Sequence, residues 1–178
     1  MNADMQPGRT RSDVGVRAQT GPGGGGVGWT LRPAVAADVE VLAELRATVM
    51  RADLERLGRY DGHRVRQRLR DSFSTEHTSV ITVGGDVMGC VTVRPAEGAQ
   101  WLEHFYLAPR HQGRGLGSAV LRTVVRRAEA QGATLRLNVL QGSSARRLYE
   151  RHGFVVDSED PIDVFMVRSP GAGTAGRA

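Results

Sequence analysis

In "ADVEVLAELRATVM" the apolar residues Val39, Leu42, Leu45 and Val49 recur every three or four positions, with charged or small residues between them. That spacing lays one apolar stripe along a helix, and Asp38 stands where a cap would start it. "DGHRVRQRLRDSF" repeats the pattern through Val65, Leu69 and Phe73 and predicts a second helix. The intervening "RADLERLGRY" reads either as a continuation of the first helix or as a loop over its end. Ahead of both, "WTLRPA" predicts a short strand. The period then changes. "TSVITV", the turn "GGD" and "VMGCVTVRP" predict a hairpin, because two β-branched runs flank glycines, and "WLEHFYLAP" a third strand of the same sheet. Leu116, Val120, Val124 and Ala128 place one apolar face on a helix over 115–131. "TLRLNVL" follows as a strand, "SSARRLYERH" as a short helix stopped at Gly153, and "FVVDS" with "IDVFMVR" as a last hairpin.

The predicted order is β-α-α-β-β-β-α-β-α-β-β, an α/β class with a mixed sheet, helices on its faces, and one domain over 29–167 without internal repeats. Residues 1–28 end in "GPGGGGVG", where polyglycine loses much backbone entropy on ordering and few apolar side chains offset it. Both that segment and 168–178 are expected to be disordered tails.

Charge changes the picture little. The formal net charge is +5, yet the tails hold +3 of it, and the arginines of the body alternate with acids as in "RADLERLGRYDGHRVRQRLRD". That is a solvated helix face rather than a track for nucleic acid, so a nucleic-acid partner is not expected. The chain has no lysine, which removes lysine Schiff-base chemistry and the lysine-dependent phosphate loop. No apolar run is long enough to span a membrane and no secretory leader is evident, so a cytoplasmic protein is expected. The single cysteine, Cys90, sits in an apolar run and reads as a small core residue. No cluster of residues suggests a metal.

The stretch "HFYLAPRHQGRGLGSAVLRTVV" sets Gly113, Gly115 and Gly117 between a strand and a helix. A dinucleotide fingerprint would need G-x-G-x-x-G, but position 118 is Ser, and the later acidic residue is missing. Alternating glycines instead leave consecutive amides bare at a helix N-terminus. That is an anion site suited to a diphosphate, with Arg110 and Arg114 raising the local potential.

Gln112-Gly113-Arg114-Gly115-Leu116-Gly117 resembles the Q/R-x-x-G-x-G/A signature of the GNAT superfamily of acetyl-CoA-dependent N-acetyltransferases, and "ARRLYERHGF" is similar to its A-x-x-L-Y-x-x-x-G-F segment. The resemblance covers about residues 29–167 and implies that fold. It implies acetyl-CoA as co-substrate, its pyrophosphate held on Gln112, Gly113, Arg114, Gly115, Gly117 and Ser118. The pantetheine arm would lie along Phe105, Tyr106 and Leu107, where the strand splays from "TLRLNVL", with Asn138 and Ser143 as further contacts. Arg146 and Arg147 either reach the phosphate end or solvate their helix.

Acetylation of an amine needs a base to remove a proton and an acid for the departing thiolate. The resemblance makes Tyr149 the acid and Glu103 the base, acting through water because a carboxylate is a weak base towards an ammonium. By alternation along "WLEHFYL", Glu103 shares a face with Trp101 and Phe105, while the rival base His104 points the other way. Asn138 stands where some family members carry a catalytic Glu, and it cannot serve as a base. In this family the acceptor is chosen by the segments corresponding to "RADLERLGRYDG" and "DSEDPID". There Asp53, Glu55, Tyr60 and Asp61 either hold a cationic amine or form solvated loops. A small amine or amino-acid-like acceptor is expected, with a homodimer left open. The alternatives are a non-catalytic acyl-CoA-binding module and an acetyltransferase for protein amines.

Overall fold

The computed structural model describes residues 28–172 and the backbone of residues 19–21; the rest of the two expected tails lies outside the described residues. The elements are β1 (Gln19–Gly21), β2 (Trp29–Pro33), α1 (Val39–Arg56), α2 (Gly62–Ser72), β3 (Thr78–Val83), β4 (Asp86–Ala96), β5 (Ala99–Leu107), α3 (Leu116–Ala130), β6 (Leu135–Leu140), α4 (Ala145–Glu150), β7 (Val155–Glu159) and β8 (Asp163–Arg168). From β2 onward this is the order the hydrophobic pattern predicts. The strands form one mixed sheet in the order β1-β2-β3-β4-β5-β6-β8-β7, antiparallel throughout except where β5 meets β6.

Helices cover both faces. Val120, Leu121, Val124 and Ala128 of α3 join Tyr149 of α4 in a core with Leu31, Ile81, Val91, Leu102, Leu107 and the inward residues of β6 and β8. On the opposite face Leu42, Ala43 and Leu69 of α1 and α2 pack on Val80, Cys90 and Tyr106. Alternate residues of β3 and β4 therefore enter different cores, which is why these strands read as continuous β-branched runs.

Four details depart from the sequence expectations. Part of the N-terminal segment adds the edge strand β1, Thr20 opposite Thr30. Three residues hold no apolar alternation, and the open edge of β2 supplies their ladder. At the other end Arg168, expected to begin a tail, is the last residue of β8 and only 5% exposed; it donates to the His152 carbonyl at 2.8 Å and to Glu129 at 2.6 Å. A lone charge after an apolar run gives no hint that two acceptors wait for it. The buried face of α1 is centred on Leu42, Ala43, Arg46 and Ala47, with Leu45 and Val49 at its margin. Asp38 does not cap α1 with its side chain. Its carboxylate accepts from Arg32 at 2.7 and 2.8 Å and from the Val35 amide at 2.8 Å, and the Arg32 guanidinium holds it below the usual carboxylate range.

Two irregularities of β5 shape the centre of the molecule. Opposite Cys90–Thr92 of β4 the register slips between Tyr106 and Glu103, so that β5 bulges at His104 and Phe105. His104 takes φ 46°, in the left-handed region that few side chains adopt. The parallel pairing with β6 is also brief: Gln100 opposite Leu135 and Trp101 opposite Arg136, after which the strands part. The result is a wedge, open towards the C-terminal ends of both strands.

Candidate active site

The loop after β5 leads into this wedge from above. Gly113 (φ 69°) and Gly115 (φ 83°) are left-handed, and a side chain on either would meet open space, so backbone conformation rather than crowding calls for glycine at both. Gly117 is helical, and a Cβ there would lie 3.4 Å from Leu107 and 3.5 Å from Leu148, at ordinary contact distance, so neither backbone conformation nor crowding requires glycine at this position. Gly115 is the N-cap of α3 and offers no side chain to it. The first helical bond runs from the Ala119 amide to the Gly115 carbonyl at 3.0 Å, and among the described residues the amides of 113–118 have no protein acceptor. Six donors at the positive end of a 15-residue helix are arranged for an anion.

The side chains expected to help are partly occupied. Gln112 Nε2 donates to the Leu107 carbonyl at 2.8 Å and ties the loop to the strand. Ser118 Oγ lies 2.5 Å from His152 Nε2. Arg110 donates to the Met88 sulfur at 2.8 Å, whereas Arg114 has no protein partner among the described residues. Below the loop, the Ala108 amide donates to the Met88 carbonyl at 2.8 Å. By strand alternation the peptide groups of Leu107 and Phe105 then face the wedge, and those of Tyr106 face β4.

The bulge corrects the parity expected for β5. With one extra residue in the strand, Glu103, His104 and Tyr106 all turn to the α1–α2 face, and Phe105 packs with the other core. His104 Nε2 lies 2.8 Å from Ser72 Oγ of α2, and its Nδ1 lies 3.3 Å from the Tyr106 hydroxyl. Burial first, and Arg46 second, push its pKa down to about 4, so the ring is neutral at neutral pH. Glu103 is held by Arg94 at 2.5 and 2.7 Å. Cys90 is fully buried, its thiol donates to the His104 carbonyl at 3.0 Å, and burial raises its pKa to about 12, as befits the core residue expected from sequence.

Tyr149 reaches the centre from α4. It is 6% exposed, its ring meets Phe154 edge-on at 5.7 Å, and its hydroxyl has no protein hydrogen bond among the described residues. Burial, with Tyr106 nearby, raises its pKa and keeps the phenol protonated. Asn138 projects from the exposed side of β6 and donates to Asp163 at 2.8 Å. Ser143 accepts only weakly from the Ala145 amide, at 3.4 Å.

The acids at the rim are taken by their own neighbours. Asp53 binds Arg56 at 3.0 Å, Glu55 binds Arg51 at 2.7 Å, and Asp61 caps α2 through the Arg64 amide at 3.0 Å. Asp160 accepts from the Ile162 and Asp163 amides within its own turn. Tyr60 lies under Arg51, 5.2 Å from guanidinium to ring centre. Arg56 also reaches the Gln141 carbonyl at 2.6 Å, fastening the end of α1 to the loop before α4.

Sequence reasoning passed over Arg46. It lies on α1, is 8% exposed, and its Nε is buried without a hydrogen-bond partner. The signal was available, since position 46 follows Val39 by seven and Leu42 by four, which puts an arginine on the apolar stripe. Among the described residues no three His, Cys, Asp or Glu side chains gather as a metal site, and no helix is long and apolar enough to cross a membrane.

Residues 74–156 match the family model of the acetyltransferase (GNAT) domain. The PaiA N-acetyltransferase of Thermoplasma acidophilum, solved with coenzyme A, superposes with a TM-score of 0.66 at 18% identity over 79% of this chain and 98% of that one. The ribosomal-protein-S18-alanine N-acetyltransferase of Escherichia coli gives 0.63 at 17% identity, over 79% and 93%. A GNAT acetyltransferase of Streptococcus pneumoniae gives 0.53 at 25% identity, over 80% and 99%. The splayed β5–β6 pair and the glycine loop both lie inside the segment that matches the acetyltransferase (GNAT) domain model, and the fold is the one these solved acetyltransferases share.

Proposed function

We propose that the chain transfers the acetyl group of acetyl-CoA to a primary amine of a small acceptor, either a simple amine or an amino-acid-like molecule, by direct attack in a ternary complex. One observation supports this above the others: β5 and β6 pair over two residues and then part, directly beside six amides that lack protein acceptors. The amides of 113–118 suit a pyrophosphate, and the peptide edge of Phe105 and Leu107 suits the amides of a pantetheine arm. Bound there, the co-substrate supplies an activated acyl carbon.

Glu103, through an ordered water, takes the proton that the acceptor ammonium loses. The free amine then forms the new C–N bond as the C–S bond breaks, and Tyr149 donates its phenolic proton to the departing thiolate and regains one from solvent. A phenol kept protonated by burial and without a protein acceptor fits the donor role. His104 is the weaker candidate base, its proton affinity lowered by burial. The bridge from Arg56 to Gln141 favours a small acceptor over an extended peptide. We assign the chain to the cytoplasm, consistent with its one unpaired and buried cysteine.

The Arg94 contacts of Glu103 favour a second reading, in which no side chain is free to act as base and the domain binds an acyl-CoA without turning it over. Calorimetry with acetyl-CoA, followed by thiol release over a panel of amines, separates the two. Heat with release supports transfer, heat without release supports the binding module, and absence of heat removes both.

A further inference from the structure

Arg46 poses a problem that the acetyl-transfer reading leaves unsolved. Its side chain is 92% buried, on the helix face packed against β5 (8% exposed), with Nε sealed from solvent and unpartnered. A guanidinium whose Nε is sealed without an acceptor carries the desolvation cost of that donor, and no ion pair to Arg46 is formed among the described residues. Tyr106 does not remove the difficulty. The guanidinium carbon stands 5.9 Å from that ring's centre, at the outer limit of a cation–π contact, and such a contact leaves the N–H donors unused. Nor does an acid. Glu103, the carboxylate on this stretch of β5, is taken by Arg94, and His104 beside it is neutral.

The rim points the same way. Asp53, Glu55, Asp61 and Asp160 are committed to arginines or to turn amides, which leaves nothing there for the tail of a polyamine. Among the described residues, this face thus offers a guanidinium without an ion pair and no carboxylate without a partner. We infer that Arg46 binds the carboxylate of the acceptor, so that the substrate of the proposed acetyl transfer is a primary amine that also carries a carboxylate, such as a free amino acid. A planar guanidinium suits a carboxylate, and in an α-amino acid this would hold the amine beside Glu103 and the open end of the wedge.

The test compares wild type with Arg46→Met and Arg46→Lys. The probes are the α-amino acids, the same amino acids as carboxamides, and the corresponding decarboxylated amines. Thiol release should be faster for at least one amino acid than for its carboxamide and amine. Arg46→Met should raise the KM for that amino acid about 10- to 100-fold, as expected for loss of charge-assisted hydrogen bonds. It should leave acetyl-CoA affinity by calorimetry and turnover of the decarboxylated amine unchanged, and Arg46→Lys should recover part of the loss. Without any acceptor, Arg46→Met should melt at or above the wild-type temperature, because an unpaired buried charge has gone. The preferred amino acid should raise the melting temperature of the wild type and not of Arg46→Met. Equal or better use of carboxylate-free amines, or an unchanged KM in Arg46→Met, would overturn the carboxylate assignment. So would a wild type that no amino acid stabilises. A wild type that gives no heat with acetyl-CoA fails at the earlier step instead, and the two failures are told apart by that one titration.

Discussion

The two halves of this site are made of different material. Above β5 the loop over 112–118 is almost all main chain, its conformation set by Gly113 and Gly115 and its donors by the start of α3. Below, on the α1–α2 face, the site is side chains: Glu103 on Arg94, His104 on Ser72, and Arg46 over the Tyr106 ring with its Nε unbonded. A main-chain site depends on local φ and ψ, so it tolerates changes in packing but little change of sequence. A side-chain site depends on register, and a single inserted residue at the bulge decides which groups it contains.

The sharpest way to break the contrast is Gly115→Asp, which strains a left-handed N-cap and sets a negative charge among the unpaired amides. Acetyl-CoA affinity by calorimetry should fall more than about 100-fold, and unaltered affinity would show that the loop is not the anion site. Next, Tyr149→Phe should lower kcat about 100-fold with acetyl-CoA affinity unchanged, as expected for loss of a general acid, and normal turnover would remove Tyr149 from the chemistry. Glu103→Gln should cost about 10-fold in kcat and change the acid limb of the pH–rate profile, as expected for a base acting through water. If His104→Ala rather than Glu103→Gln alters that limb, the two residues exchange roles.

His104 also predicts a pH effect on stability. Its folded pKa is lowered from 6.5 to about 4, so above pH 6.5 both folded and unfolded states carry it neutral. As pH falls from 6.5 towards 4 the unfolded chain takes up a proton that the folded chain refuses, and stability drops, by on the order of 2 kcal/mol in all. His104→Asn should flatten this slope in urea titrations across that range, and an unchanged slope would show that the ring titrates normally. The smallest effect tests the domain edge. Arg168→Leu loses bonds to His152 and Glu129 and should lower stability by about 1–2 kcal/mol, whereas a residue in a free tail would have no effect.

Residues spaced by local rules were legible in the chain. The stripes of α2 and α3, the β3–β4 hairpin and the glycines before α3 each announce themselves within a dozen positions, because helix period, strand period and left-handed turns are local constraints. His104 was misplaced because alternation assumes an unbroken strand, and the bulge is defined only against β4. Gly117 differs from Gly113 and Gly115 in having no left-handed backbone, which the G-x-G-x-G spacing by itself does not reveal.

By itself the sequence determined the elements, their order and the glycines that leave amides bare before α3, since all three follow from side-chain period and backbone freedom along a short stretch. The tertiary structure alone decided that β5 parts from β6 after two residues, that Glu103 is bound to Arg94, and that the Nε of Arg46 is buried without a hydrogen-bond partner. Those are relations between segments far apart in the chain. Burial and pairing are properties of what surrounds a residue, and no run of neighbours in sequence can state them.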